Sequence, residues 1–402
     1  MPLPDILRAL HHRNYRLYFL GQMVSLAGTW MQQIAMNWLT YRLTDSTFML
    51  GLVVFAAQIP ILAVAPIGGV LSDRFDKRVM MLWTQSLSLV QALALTLLTL
   101  TDAVQPWHLI MMSLSLGLIN AIDVPARQSF LVDLVEDRDD LANAIALNSF
   151  AINSARFVGP SLGGIVVGLA GEGICFAINA LSYLAVIVAL TALRTHHVAG
   201  THRSASEAMR RGFSYAFGID RIRQLLYVVA LTGFFATPYV VLLPYFAREV
   251  YGGGAQTFGF MSAAAGGGAL LGTLYLASRK TVAGLDGVIG KTIVAAAVAL
   301  TLFAVSNVLV LAMPALALLG FSIICTVASS NTLIQSMVGD DMRGRVMSLF
   351  TMAFLGISPL GSLAAGWIAH RIGPRETMLG CALIIFLGGV VFIRTRDQGN
   401  RT

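Results

Sequence analysis

Long apolar segments alternate with short polar segments along almost the whole chain. Twelve of the apolar segments are about 20 residues long or longer, the length at which a helix crosses the roughly 30 Å hydrocarbon core of a bilayer. Their approximate bounds are 15–43, 47–71, 79–100, 106–126, 143–170, 174–193, 224–247, 257–277, 288–306, 308–330, 346–369 and 377–393. The pattern therefore predicts an all-α integral membrane protein with 12 transmembrane helices.

Composition supports the same class of protein. Of the 402 residues, 56% are hydrophobic and 12% are charged, and the mean hydropathy is +0.75. Soluble proteins carry about 25% charged residues, which they need to cover a surface in water. An ordinary soluble protein is therefore excluded.

Charge along the chain indicates orientation. The separators between apolar segments alternate between basic and nearly uncharged, and the basic class holds 22 of the 27 Lys and Arg residues. Membrane proteins concentrate these residues on the cytoplasmic side. We therefore expect both termini in the cytoplasm, and the net charge of +7 requires no nucleic-acid partner.

The two halves of the chain are similar to each other. A shift of 202 residues places Gly159 on Gly361 and Gly164 on Gly366. With six apolar segments on each side of a basic linker, this predicts two pseudo-symmetric six-helix bundles, 1–193 and 224–402, joined by a cytoplasmic linker at 194–223. A capping-box pattern in the linker predicts a short helix on the membrane surface, and a solvated connector is the alternative.

The separator after the second apolar segment reads GGVLSDRFDKR over residues 68–78. It resembles the signature loop of the major facilitator superfamily, except that Asp76 replaces a common glycine. The resemblance implies the fold of that superfamily, and it implies transport by alternating access between two bundles. It also implies a gate, a charge network that closes the cytoplasmic side. The residues assigned to this network are Asp73, Arg74, Lys77, Arg78 and Asp123.

The fifth apolar segment contains Gly159, Pro160, Gly163 and Gly164 in the pattern Gly-Pro-x-x-Gly-Gly. This pattern resembles the motif that marks exporters in the same superfamily, and generic close packing of helices is the alternative. The stretches 117–128 and 141–149 are similar to the branch of enterobactin exporters and macrolide efflux proteins. The resemblance implies an exporter in the bacterial cytoplasmic (inner) membrane.

Two ionisable residues lie within apolar segments, where a charge is costly and marks a candidate for function. Asp123 is either part of the gate or a proton-binding acid. Arg156 lies near the middle of its segment, and three interpretations stay open: contact with substrate, pairing with carbonyl or amide groups, and an ion pair with Asp123. A difference in depth of roughly 15 Å argues against the ion pair.

In this superfamily the first, fourth, seventh and tenth helices line a central cavity, so the resemblance directs attention to their polar and aromatic residues. Each of these residues is also explained by packing between helices. Together with Arg156, the substrate candidates are Gln22, Gln33, Asn37, Asn120, Phe234, Tyr239 and Asn331.

The sequence therefore predicts a secondary active transporter that exports a partly hydrophobic small molecule, by resemblance in exchange for protons. A lipid flippase or an importer on the same fold is the alternative. A membrane-embedded enzyme is disfavoured because the His, Cys, Asp and Glu residues do not cluster, and no Walker-type phosphate loop is present in the sequence. We expect no cofactor and no metal. The expected partners are a small-molecule substrate, membrane lipids and protons, and the expected state is a monomer.

Overall fold

The computed structural model describes residues 5–135, 137–193, 214–279 and 281–399, and within these ranges the regular structure is helical, without strands. After a 3₁₀ turn at Asp5–His11 we number 13 α-helices in chain order. They are α1 (Arg13–Thr44), α2 (Thr47–Arg74), α3 (Lys77–Leu100), α4 (Pro106–Asp133), α5 (Arg138–Ala192), α6 (Asp220–Leu231), α7 (Tyr239–Tyr245), α8 (Ala255–Ala277), α9 (Leu285–Val305), α10 (Leu309–Met337), α11 (Asp340–Thr351), α12 (Ser358–Ile372) and α13 (Pro374–Gly399).

Ten helical segments of the described chain are long and apolar enough to cross a membrane. One of them, Asp139–Ala192, is 54 residues long and contains a break at Gly171, whose φ of 83° lies in the left-handed region that favours glycine. Two spans meet at this break. The 32-residue α1 is not among the ten, so the fold class is confirmed while the count of 12 spans stays a prediction.

Several helices begin where the sequence supplies a cap. Asp76 precedes α3, and its carboxylate accepts hydrogen bonds from the backbone N–H groups of Arg78 at 2.8 Å and Val79 at 3.2 Å. Asp137 caps α5 through the N–H of Asp139 at 3.0 Å. Each carboxylate satisfies N–H groups that have no partner inside the helix. The aspartate that departs from the superfamily signature is therefore the cap of α3.

Contacts between Cα atoms divide the chain into two compact units. Unit 1 comprises Met1–Thr44, Ala56–His202 and Gly254–Ala263, and unit 2 comprises Asp45–Phe55, Arg203–Gly253 and Ala264–Thr402. α2 and α8 each contribute to both units. The division into bundles at 1–193 and 224–402 stays a prediction. Most of the predicted linker, residues 194–213, lies outside the described residues, and the chain is helical again at 214–218.

In unit 1, α1 packs along both parts of α5, and α3 packs against α4 and α5. Tyr15, Tyr18 and Phe130 are buried where these helices meet. The hydroxyl of Tyr15 donates to the carbonyl of Ala144 at 3.0 Å. We call this end of unit 1, which carries Arg8, Lys77, Arg78 and Arg127, the basic end.

Among the described residues of unit 2, three single turns of π-helix interrupt the path of the chain, at Thr232–Ala236, Phe246–Val250 and Met352–Gly356. The rings of Phe246 and Phe303 lie 4.6 Å apart in the core. The hydroxyls of Thr292 on α9 and Thr326 on α10 are 2.8 Å apart. A hydrogen bond between helices satisfies both hydroxyls inside the unit.

Equivalent glycines of the internal repeat make equivalent contacts. A Cβ placed on Gly164 would lie 2.8 Å from the carbonyl oxygen of Ala255 and 2.8 Å from Cα of Gly259. In unit 2, a Cβ placed on Gly366 would lie 2.6 Å from the carbonyl oxygen of Thr47 and 3.0 Å from Cα of Gly51. Neither site has room for a side chain. The internal repeat is therefore visible in the structure as two close contacts between helices, one at Gly164 and one at Gly366.

Candidate functional site

Two of the residues assigned to the gate, Lys77 and Arg78, bind helix ends at the basic end of unit 1. Lys77 Nζ donates to Asp133 Oδ2 at 2.8 Å, which joins α3 to the end of α4. The guanidinium of Arg78 donates to the carbonyls of Leu190 at 2.6 Å and Thr191 at 2.9 Å, at the end of α5. Cations at a helix C-terminus satisfy its unpaired carbonyls and its dipole. Lys77 and Arg78 therefore bind the ends of α4 and α5, and their role in a gate stays a prediction.

Arg74 is exposed at the end of α2. The side chain of Asp73 lies outside the described side chains, so its role in a gate stays a prediction. Asp133, which accepts the hydrogen bond from Lys77, comes 56 residues later in the chain. Lys77 pairs with this acid because the start of α3 and the end of α4 meet at the basic end.

Asp123 lies in the interior of unit 1 and is 3% exposed. Its Oδ1 accepts hydrogen bonds from Thr84 Oγ1 at 2.6 Å and Gln85 Nε2 at 3.0 Å, both on α3. Its Oδ2 lies 3.4 Å from Arg127 Nη2, one turn along α4. Two hydrogen-bond donors and the cation of Arg127 together offset the cost of burying this carboxylate. The carboxylate therefore holds α3 and α4 together near the basic end.

The residues of the exporter-like motif lie where α5 contacts two other helices. A Cβ on Gly159 would lie 2.5 Å from Cβ of Trp30, and a Cβ on Gly163 would lie 2.9 Å from Cα of Met31, both on α1. On the adjacent face, Gly164 and the carbonyl of Pro160 lie against Gly259 of α8. The motif residues bring α5 close to α1 and α8, as small residues do in membrane helices.

Arg156 lies one turn before Pro160 and is half-buried. Its Cζ lies 5.3 Å from the centre of the Trp30 ring, a cation–π contact between α5 and α1. The ion pair with Asp123 is not formed, since the carboxylate of Asp123 is bonded by Thr84, Gln85 and Arg127. Contact with substrate and pairing with polar groups both stay open for Arg156.

Arg156 belongs to a polar strip on α5 that also contains Ser149 and Asn153. At 3.6 residues per turn the three positions fall within a sector of about 60°. Ser149 is exposed, and Asn153 and Arg156 are half-buried. Asn153 and Arg156 lie about 27 Å and 22 Å before the break at Gly171 at 1.5 Å per residue, inside the thickness of a bilayer. Polar side chains at this depth of a spanning helix face the interior of the protein or a water-filled cavity and not hydrocarbon.

A second set of polar residues, which sequence reasoning did not assign, lies inside unit 1. Gln32 Nε2 donates to Gln91 Oε1 at 3.1 Å, and Asn179 Nδ2 donates to Gln32 Oε1 at 2.7 Å. All three side chains are buried. This buried amide cluster joins α1, α3 and α5. The signal in the sequence is the spacing of Thr84, Gln85, Ser88 and Gln91 on one face of α3, a polar stripe on an apolar helix.

The other substrate candidates occupy different environments. Gln22 and Asn37 are buried, whereas Gln33 and Asn120 are half-buried. In unit 2 three candidates are half-buried, namely Phe234, Tyr239 and Asn331. The ring of Phe234 lies 4.7 Å from that of Phe235, and Asn331 Oδ1 accepts a hydrogen bond from Gln335. Assignment of these candidates to a substrate stays a prediction.

Sequence reasoning also missed an ion pair at the end of unit 1 opposite to the basic end. Arg42 Nε lies 2.8 Å from Glu172 Oε1, where Glu172 directly follows the break at Gly171. Glu172 is 7% exposed. Within the described residues no group of three or more His, Cys, Asp and Glu side chains is arranged to hold a metal ion.

The sequence of this chain matches a family model described as a transmembrane secretion effector, part of the major facilitator superfamily, over residues 6–399. The chain belongs to this family. It is 26% identical over 369 residues to the staphyloferrin A transporter of Staphylococcus aureus, covering 90% of this chain and 91% of that one. It is 24% identical to the multidrug efflux pump Tap of Mycolicibacterium fortuitum, covering 94% of each chain.

A third relative, the enterobactin exporter EntS of Salmonella paratyphi A, is 22% identical, and the match covers 94% of this chain and 93% of that one. Among solved structures, the nucleoside transporter NupG superposes with a TM-score of 0.74 at 14% identity, over 95% of this chain and 98% of that one. A transporter of the POT family gives a TM-score of 0.76 at 10% identity, over 96% of each chain. The structural likeness establishes the fold.

Family membership confirms the resemblance found in the signature loop and the exporter-like motif. The protein is a multi-pass membrane transporter for small molecules, and it is not an enzyme.

Proposed function

We propose that this protein exports a partly hydrophobic small molecule across the bacterial inner membrane by alternating access. The observation that carries the proposal is the polar strip of α5, because a spanning helix that leaves Asn153 and Arg156 partly exposed at membrane depth indicates an aqueous route beside it. Gly159 and Gly164 follow the strip along α5, and at these glycines α5 packs closely on α1 and α8. Exporters among the relatives support the direction.

The basic end of unit 1 faces the cytoplasm in this proposal. Membrane proteins keep Lys and Arg on that side, and Lys77, Arg78 and Arg127 are all engaged there with groups of the same unit. Asp73 and Arg74 at the end of α2 act as the gate on this side. Asp123 stabilises the contact between α3 and α4, since it binds Thr84 and Gln85 of α3 and pairs with Arg127 of α4.

Export is driven by exchange for protons. The test uses inside-out membrane vesicles, in which an exporter accumulates its substrate in the lumen. Vesicles energised through respiration are offered a panel of fluorescent amphipathic dyes, and uptake is followed as quenching. We expect uptake that nigericin abolishes by collapsing the pH gradient, while valinomycin, which collapses the electrical potential, leaves most of it.

The gate is tested in the same vesicles with Asp73→Asn, which removes the charge but retains the shape. Loss of uptake at normal expression supports the gate, and full uptake contradicts it. Dye uptake only by right-side-out vesicles would identify an importer, and movement of a labelled lysolipid alone would identify a flippase. Either result would overturn the proposed export.

A further inference from the structure

Arg156 has no equivalent in the second half of the chain, although the glycines around it do. The shift of 202 residues places Arg156 on Ser358, whose hydroxyl lies 2.8 Å from that of Thr237 in unit 2. The neighbouring glycines recur in both halves of the chain with equivalent contacts. A small hydroxyl therefore satisfies the packing of this position, and the cation serves a purpose present only in the first half.

The contact with Trp30 orients the guanidinium. A guanidinium over an indole ring, 5.3 Å from its centre, is attracted by the negative face of the ring. Its N–H donors lie in the guanidinium plane, and their fork geometry matches the two oxygens of a carboxylate. Trp30 and Arg156 are both half-buried, so each presents part of its surface beside the polar strip.

We propose that Arg156 and Trp30 recognise a planar organic anion, an aromatic or conjugated molecule that carries a carboxylate. The inference rests on the export proposed above and names the substrate class of the same protein. A positive charge at membrane depth is costly, and an anionic ligand offsets that cost at the point where the ligand binds. The Trp30 ring supplies an apolar surface for the conjugated part of the same ligand.

The surroundings fit a ligand of this dual character. Asn153 lies one turn before Arg156 on the polar strip, whereas Ala27 and Met31 flank Trp30 on α1 and contact the glycines of α5. Polar and apolar groups therefore lie side by side at the contact between α1 and α5. A cationic ligand would meet repulsion from Arg156 and gain only the apolar surface.

The experiment compares two dyes that share the xanthene skeleton and differ in charge. Fluorescein carries a carboxylate and is anionic at neutral pH, and rhodamine 123 is cationic. Binding of each dye to the purified full-length protein in detergent is measured by fluorescence anisotropy. We expect fluorescein to bind at least about ten-fold more tightly than rhodamine 123, since only the anion uses the guanidinium.

Variants identify the residues responsible. Arg156→Gln weakens fluorescein binding by at least about ten-fold, and Arg156→Lys by less, because an ammonium keeps the charge but lacks the planar fork. Trp30→Leu weakens binding more than Trp30→Phe does. The matched control is Arg371→Gln, because Arg371 lies 5.2 Å from the centre of the Trp367 ring within unit 2 and is not part of the strip on α5. It leaves binding unchanged.

Two results overturn the inference: rhodamine 123 binds as tightly as fluorescein, or fluorescein binding is absent or survives Arg156→Gln unchanged. Transport in inside-out vesicles separates this inference from the proposed function. Charge-selective binding that depends on Arg156, without accumulation of any dye, supports the recognition site and contradicts export. Accumulation of both dyes without charge preference supports export and contradicts the recognition site.

Discussion

Replacing Gln32 with leucine removes the central member of the buried amide cluster. Leucine has a similar volume, so the main loss is two hydrogen bonds, one to Gln91 and one from Asn179. Gln91 is 5% exposed and Asn179 is 0% exposed. Water therefore does not replace the lost partner of either amide.

The expected cost follows from these two bonds. A side-chain hydrogen bond between membrane helices contributes about 0.6 kcal/mol on average and up to about 1.7 kcal/mol. Two of them give a loss of about 1–3 kcal/mol for Gln32→Leu. At roughly 2–4 °C per kcal/mol for a folding unit of this size, the apparent melting temperature falls by roughly 2–12 °C.

The assay is thermal unfolding of the purified protein in detergent, followed by intrinsic tryptophan fluorescence at a fixed scan rate. Gln33→Leu is the matched control, because the next residue in the chain is half-buried and undergoes the same chemical change. Adding leucine at Gln91 and Asn179 to Gln32→Leu restores part of the loss, since no amide of the cluster is then left without its partner. A melting temperature of Gln32→Leu within about 1 °C of the wild type would refute the reasoning.

Other contacts give further expectations for the same melting assay. Glu172→Gln removes the ion pair with Arg42, whose half-exposed side chain limits the loss of stability to about 1 kcal/mol. The melting temperature therefore falls by roughly 2–4 °C. An equal fall in high salt would argue against an ionic cause. Gly164→Leu destabilises the protein by about 1–3 kcal/mol or more through overpacking against α8. Its control is Gly380→Leu, because a Cβ on Gly380 has no described atom within 4 Å. Equal melting temperatures of the two variants would contradict the close contact of Gly164. Asp76→Ala costs about 1 kcal/mol through loss of the cap of α3 and Asp76→Asn costs less, so identical melting of both would contradict the capping role.

Apolar length and small-residue spacing predicted the parts of the structure that depend on local sequence. Gly159 and Gly164 were expected to allow close packing, and both lie against neighbouring helices with no room for a side chain. The shift that pairs Gly164 with Gly366 was visible in the sequence, and the two glycines make equivalent contacts. These features follow from the absence of a side chain, which does not depend on the identity of the partner.

Partners of charged residues could not be predicted in the same way. Lys77 was assigned to a charge network with Asp73 and Asp123, and the structure pairs it with Asp133, which the end of α4 brings beside the start of α3. Glu172 falls between the fifth and sixth predicted segments, and its burial depends on the break at Gly171 and on the approach of Arg42. Several acids are within reach of each cation along the chain, and only the packing of helix ends selects one.

The buried amide cluster was missed for a related reason. Gln91 and Asn179 each lie in a predicted transmembrane segment, where a polar residue is equally consistent with a substrate contact or with a bond between helices. The sequence shows that α3 carries a polar stripe, but it does not show that α1 and α5 supply the facing amides. The structure shows that Gln32 of α1 bonds to both of the other helices.

The central claim of this account is that an aqueous route runs along the polar strip of α5. Single cysteines at Asn153 and at Val158 test it, with Cys381 replaced by alanine because Cys175 and Cys325 are buried. Val158 is 41% exposed but lies about 140° around the helix from Asn153, on an apolar face. A membrane-impermeant thiol reagent is applied to inside-out and to right-side-out vesicles. The account predicts rapid labelling of Asn153→Cys and no labelling of Val158→Cys, whereas equal labelling of both, or of neither, would contradict it.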